Sequence, residues 1–146
     1  MPIHFESGNP LQHPTQTLAF AWNAQGRMES HPLALQLYDR FPAAFASFTK
    51  QCRAGKIKAG MCWLWQESQP RLLFMVLRES PVGATRLRYV DAALLLIARD
   101  YRLYGLESMT FAPLGTQSEW ADIQPLMKRW LQPCPLPCVA YLPDPF

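Results

Sequence analysis

The stretch Leu18-Ala19-Phe20-Ala21-Trp22, followed by Asn23-Ala24-Gln25-Gly26, decides the fold. Its first five residues form an unbroken apolar run of strand length. A run without polar alternation suits a strand covered on both faces, the central strand of a sheet between layers of helices. The polar segment Asn23 to His31 ends the strand in a loop. Pro32 then suits a first helical position, where a missing N–H is not needed.

Elements alternate on either side of this run. Ile3 to Glu6 reads as a short strand closed by the turn Ser7-Gly8-Asn9-Pro10. Leu33, Leu37 and Phe41 recur at helical spacing, Pro42 interrupts, and Phe45, Phe48 and Cys52 carry the next stripe. Met61 to Trp65 and Leu72 to Leu77 are strands joined as a hairpin by residues 66–71. Leu87, Val90, Leu94, Ile97, Tyr101 and Tyr104 predict one long amphipathic helix stopped by Gly105. Ser108 to Phe111 is a strand, and Pro113-Leu114-Gly115 turns the chain. Ser118 is expected to cap a helix carrying Trp120, Ile123, Met127 and Trp130. Three prolines, Pro133, Pro135 and Pro137, precede a last strand, Cys138 to Leu142. The order predicts an α/β domain: a mixed or parallel sheet of about six strands with helices on both faces.

The 146 residues suit a single domain spanning 1–146. Charged residues are 17% and hydrophobic residues 49%, a balance that argues against a disordered chain. The net charge of +3 is too mild to require a nucleic-acid or membrane partner. No apolar stretch approaches ~18 residues, so no transmembrane helix is expected. Met1 to Glu6 lacks the basic start and apolar run of a signal peptide, which makes the cytoplasm the expected compartment. Cys52, Cys62, Cys134 and Cys138 are expected as free thiols. His4, His13 and His31 do not group with them, so neither a metal nor another cofactor is expected.

In sheets of this kind, ligands bind at the carboxyl ends of the strands, where loops meet helix N-termini. Two loops qualify, Asn23 to His31 and Pro113 to Ser118. Asn23 and Asn9 each have a plain alternative as turn residues, and His31 as a helix-start residue. Arg78, Arg86 and Arg88 have two readings, cations that supply charge where N–H donors are lost and, the more expected one, solvated charges at a helix start. Trp63, Trp65, Trp120 and Trp130 have base stacking as one reading and the core as the more expected one.

Segments spread over nearly the whole chain resemble the macro domain family, the module that recognises ADP-ribose. The branch most like it is the bacterial antitoxin type that removes ADP-ribose from DNA. Ser7-Gly8-Asn9-Pro10-Leu11 is similar to the family's Gly-Asp/Asn-hydrophobic start. Residues 20–26 are similar to its Asn-rich strand end, and Arg40-Phe41-Pro42 to the exit of its first helix. Residues 52–60 resemble the loop that follows, Thr85 to Val90 its next helix start, and Ala112-Pro113-Leu114-Gly115 its second binding loop. The resemblance implies a three-layer α/β/α fold whose cleft takes ADP-ribose or a related nucleotide.

It further implies a ligand set of Gly8, Asn9, Asn23, Gly26, Met28, Ser30, Leu114, Gly115, Thr116, Gln117 and Ser118. In the family, the Asn9 position meets the adenine amino group and the Asn23 position meets the distal ribose. Hydrolysis of an ADP-ribosyl linkage is the activity implied, with Asn23 orienting the ribose and a bound water attacking its anomeric carbon; His31, by its own imidazole chemistry, is a candidate base or phosphate contact. Nucleic acid enters only as a modified substrate.

The phosphate-gripping loops depart from the family pattern. Glu29-Ser30-His31-Pro32 stands where Gly-Lys-Gly is usual; this restricts the backbone, deletes a donor at Pro32 and adds a negative charge at Glu29. Phe20 replaces the first family asparagine, and the catalysis-assisting lysine has no clear counterpart. Residues 116–119 join Gly115 directly to Trp120, a shorter loop without glycines. Ser118 at a helix start keeps N–H groups for an anion. Two readings therefore stand: weak recognition of ADP-ribose, or a macro-like pseudoenzyme that acts through a protein partner.

Overall fold

In the computed structural model, which describes residues 3–12 and 15–143, every residue of the strand Thr17–Asn23 is buried. His13 and the Met1-Pro2 start of the N-terminal segment lie outside the described residues. The strands are β1 (Ile3–Glu6), β2 (Thr17–Asn23), β3 (Cys62–Trp65), β4 (Arg71–Arg78), β5 (Met109–Phe111) and β6 (Cys138–Tyr141). The helices are α1 (Pro32–Arg40), α2 (Pro42–Arg53), α3 (Leu87–Asp100) and α4 (Trp120–Leu131). The strands form one sheet in the order β1-β6-β5-β2-β4-β3. Every neighbouring pair is parallel except the β3–β4 hairpin.

The alternation of side chains along β2 builds both layers. Leu18, Phe20 and Trp22 face α1 and α2, with Leu37, Phe45, Phe48 and Phe74 in the same core cluster. Ala19 and Ala21 face the other way, into the cluster of α3 and α4 that includes Leu94, Ile97, Ile123 and Met127. The first layer is aromatic. Phe48 stacks on Phe74 at 4.3 Å between ring centroids, and Phe20 meets Phe74 edge-on at 4.7 Å. Trp63 joins this stack from β3 at 5.4 Å. The result is the expected α/β/α sandwich with a mixed six-stranded sheet.

Two expectations need correction. The helix predicted to run to Tyr104 has regular geometry only to Asp100. Residues 101–105 continue as turns, and Gly105 (φ +68°) ends them. The Leu106 N–H reaches Tyr101 O and the Gly105 N–H reaches Arg102 O, the paired bonds of a Schellman stop. Ser118 does not cap α4. Glu119 holds the cap position without a side-chain bond into the helix, and the Ser118 hydroxyl pairs with Thr116 Oγ1 at 3.0 Å.

Candidate functional site

A cleft of about 840 Å³ opens where β1, β2, β4, β5 and β6 end. Parallel strands in register put all these carboxyl ends on one side, so their outgoing loops meet there. Gly8, Asn9 and Pro10 follow β1, and Leu142 and Pro143 follow β6. His31, Pro32, Leu33 and Gln36 form one wall at the start of α1. Pro113 to Ser118 form the opposite wall, with Ala21 and Arg78 between. The small Ala21 side chain leaves this volume free. Both expected loops contribute, the second along its length and the first only through its last residue, His31.

Of the residues implied by the resemblance, Gly8, Asn9, His31 and Leu114 to Ser118 line the cleft. Asn23, Gly26, Met28 and Ser30 do not. Asn23 is fully buried and its amide is engaged at both ends. Nδ2 donates to Arg27 O at 2.9 Å and to Glu29 Oε2, while Oδ1 accepts from the N–H groups of Gln25 and Arg27. The geometry makes Asn23 the organiser of its loop and gives it no surface for a ribose. Gly26 has φ +69° and packs on α2, where a Cβ would lie 3.0 Å from Thr49 Cα and 3.1 Å from Cys52 Sγ. Met28 and Ser30 point to solvent.

Phe20 and Glu29, two of the departures from the family pattern, do not line the cleft. Phe20 sits in the aromatic core under α2, because β2 alternation turns it away from the cleft. Glu29 is buried, with one carboxylate oxygen on Asn23 and the other paired to Arg78. Burial pushes the Glu29 carboxyl up from its ordinary value, against the Asn23 hydrogen bond and the Arg78 charge, which pull it down.

Arg78, expected mainly in solvent, lines the cleft. Its side chain is only 13% exposed. The β2–β4 register shifts at Trp22/Asn23, so that Trp22 pairs with Val76 but Asn23 pairs with Arg78. Such an irregularity re-aims the side chain that follows it. Nη2 binds Glu29 and Nη1 donates to Thr85 Oγ1 at 3.2 Å. Among the described residues that line the cleft, His31 and Arg78 are the ionisable ones.

His31 caps α1. Its Nδ1 accepts the Ala34 N–H at 3.2 Å, which leaves the proton of the neutral ring on Nε2. Burial, then the nearby Arg78 charge, lowers its pKa. The Asn9 side-chain oxygen accepts the Leu11 N–H at 3.0 Å, an Asx turn that holds the residue at the rim. In the opposite wall, Glu119 Oε1 accepts the Thr116 N–H at 2.8 Å. Gly115 packs on α4 so closely that a Cβ would lie 2.5 Å from Ile123 Cδ1.

The other chemistry-bearing residues lie outside the cleft. Cys52, Cys62, Cys134 and Cys138 are free. Burial pushes Cys52 up to about 11 and Cys62 and Cys138 up to about 12, so these three are poor thiolate nucleophiles near neutral pH. Among the described residues, no group of three His, Cys, Asp or Glu stands together as a metal site. No helix among them is long and apolar enough to cross a membrane.

No protein-family model matches the chain. A curated relative, the DNA ADP-ribosyl glycohydrolase of Mycobacterium bovis, is 26% identical over 150 residues, covering 97% of this chain. The chain spans 42% of that relative's length. The solved macrodomain of Mycobacterium tuberculosis DarG superposes with a TM-score of 0.85 at 25% identity, covering 97% of this chain and 98% of that one. Thermosipho africanus DarTG in complex with ADP-ribose superposes with a TM-score of 0.87 at 22% identity, over 97% of this chain and 41% of that one.

Proposed function

The chain is a macro domain similar to those of DarG, and from that premise we propose that its cleft recognises ADP-ribose or a related nucleotide. The observation that carries the reading is the open cleft at the strand ends, walled by the α1 start and by Pro113 to Ser118. Its 840 Å³ is within the range of small-molecule sites. The name of the curated relative suggests a DNA-linked ADP-ribosyl group as the class of modified substrate.

Recognition is supported further than hydrolysis. Attack of water on an anomeric carbon needs a group that accepts a proton. His31 Nδ1 is occupied by the Ala34 N–H, and the Arg78 guanidinium offers donors and no acceptor. Asn23, the residue expected to orient the ribose, is consumed by its own loop. Binding in the micromolar range or weaker is expected, because Pro32 offers no N–H and the Thr116 N–H is taken by Glu119.

That same Thr116–Glu119 closure favours the second reading, a pseudoenzyme that acts through a protein partner. A thermal-shift screen separates the two. Ligand that binds only the folded state raises the melting temperature. A dose-dependent rise with ADP-ribose supports recognition. No rise up to millimolar ADP-ribose, NAD or mononucleotide favours the second reading.

A further inference from the structure

We propose that Arg78 is the residue that recognises the anionic group of the ligand, and that Glu29 and Asn23 are positioning residues that hold its guanidinium in the cleft. The inference rests on the nucleotide reading of the cleft and names the charge that would read a phosphate there.

Three observations converge on Arg78. It is the permanently charged group among the described cleft-lining residues. It is held on two sides, with Nη2 on Glu29 and Nη1 on Thr85. Each Nη of the guanidinium carries two N–H groups and uses one of them in the protein, so each keeps a donor beyond these bonds, while the Nε–H is buried without an acceptor. A planar fork with spare donors suits a phosphate oxygen pair, and a lysine would not reproduce it.

Glu29 explains how such a charge sits where it is only 13% exposed. An isolated buried cation is costly, and a hydrogen-bonded carboxylate beside it offsets that cost. Asn23 fixes the other oxygen of Glu29, and its own backbone stands opposite Arg78 across the irregularity of the sheet. A loop rich in glycine grips phosphate with backbone N–H groups; here one oriented side chain takes over.

Calorimetry of the full chain with ADP-ribose and with neutral adenosine tests this. Arg78→Gln is expected to lose about 10-fold or more in ADP-ribose affinity, as for a charge-assisted hydrogen bond, with adenosine unchanged. Glu29→Gln cannot accept from both Asn23 and Arg78, so it is expected to bind ADP-ribose several-fold more weakly with adenosine unchanged, whereas a merely structural Glu29 predicts the same loss for both ligands. If Arg78→Gln does not fold, Glu29→Gln and the salt dependence of wild-type binding decide, since only the anionic ligand should weaken as salt rises. Unchanged ADP-ribose affinity in Arg78→Gln, or no selective loss of ADP-ribose affinity in Glu29→Gln, overturns the role of Arg78 and leaves the nucleotide reading standing. A wild-type chain that binds neither ligand overturns both.

Discussion

Asn23 and Arg78 stand opposite each other at the ends of β2 and β4, and both close on one carboxylate, that of Glu29. The loop that was expected to embrace a ligand is therefore tied down from within. Asn23→Ala removes the amide that holds Arg27 and Glu29 and leaves buried groups without partners. It should destabilise the fold by about 1–3 kcal/mol. Urea denaturation measures this, and unchanged stability would mean the amide is not structural.

The aromatic layer packs β2 and β4 against α1 and α2. Phe74 touches Phe20, Phe45, Phe48 and Trp63 and is fully buried. Phe74→Ala should cost about 3–5 kcal/mol, the range for a deleted core aromatic. Denaturation of the variant reads the loss directly; under about 1 kcal/mol would show a layer that collapses to refill the space.

Gly115 is required by packing as well as by its place in the wall. A Cβ there would meet Ile123 Cδ1 at 2.5 Å and Glu119 Oε1 at 2.9 Å. Gly115→Ala should destabilise by about 1–3 kcal/mol, as overpacking does. Adding Ile123→Val removes the clashing methyl and should recover part of that loss. A double variant no more stable than Gly115→Ala alone would place the strain elsewhere.

The fold was legible because its decisive signals are local. The apolar run at Leu18 to Trp22 can be satisfied only by cover on both faces, and Leu33, Leu37, Phe45 and Phe48 supply half of that cover. The position of the cleft followed from strand order. The site was less legible. A motif position identified Asn23, but its partner Glu29 is brought to it by a loop whose path the sequence does not state. Arg78 looked like a solvated charge because nothing in residues 75–78 signals the register shift beside Asn23. Ser118 had the chemistry of a cap, yet the Glu119 carboxylate folded back on Thr116 and the helix began one residue later.

His31 gives the fold a pH dependence with a defined sign. Its folded-state pKa lies below the ordinary 6.5, so the unfolded chain binds the proton more readily. The contribution is full above about 6.5 and is lost as pH falls through the lowered value. Glu29, with its raised pKa, acts oppositely: its contribution is full below 4.5 and is lost as pH rises through the folded value. His31→Asn keeps a good helix cap without the titration. Urea stability measured from pH 7.5 to 5 should fall more steeply for wild type than for His31→Asn. Parallel curves would show that His31 does not titrate with folding.

The place of ligand recognition is tested most directly by titrating isotope-labelled chain with ADP-ribose and following backbone amide resonances by NMR. The account predicts saturable shifts at Asn9, His31, Gly115, Thr116 and Gln117, with half-saturation at micromolar concentration or above. Shifts confined to residues outside the cleft, or none at millimolar ligand, would contradict it.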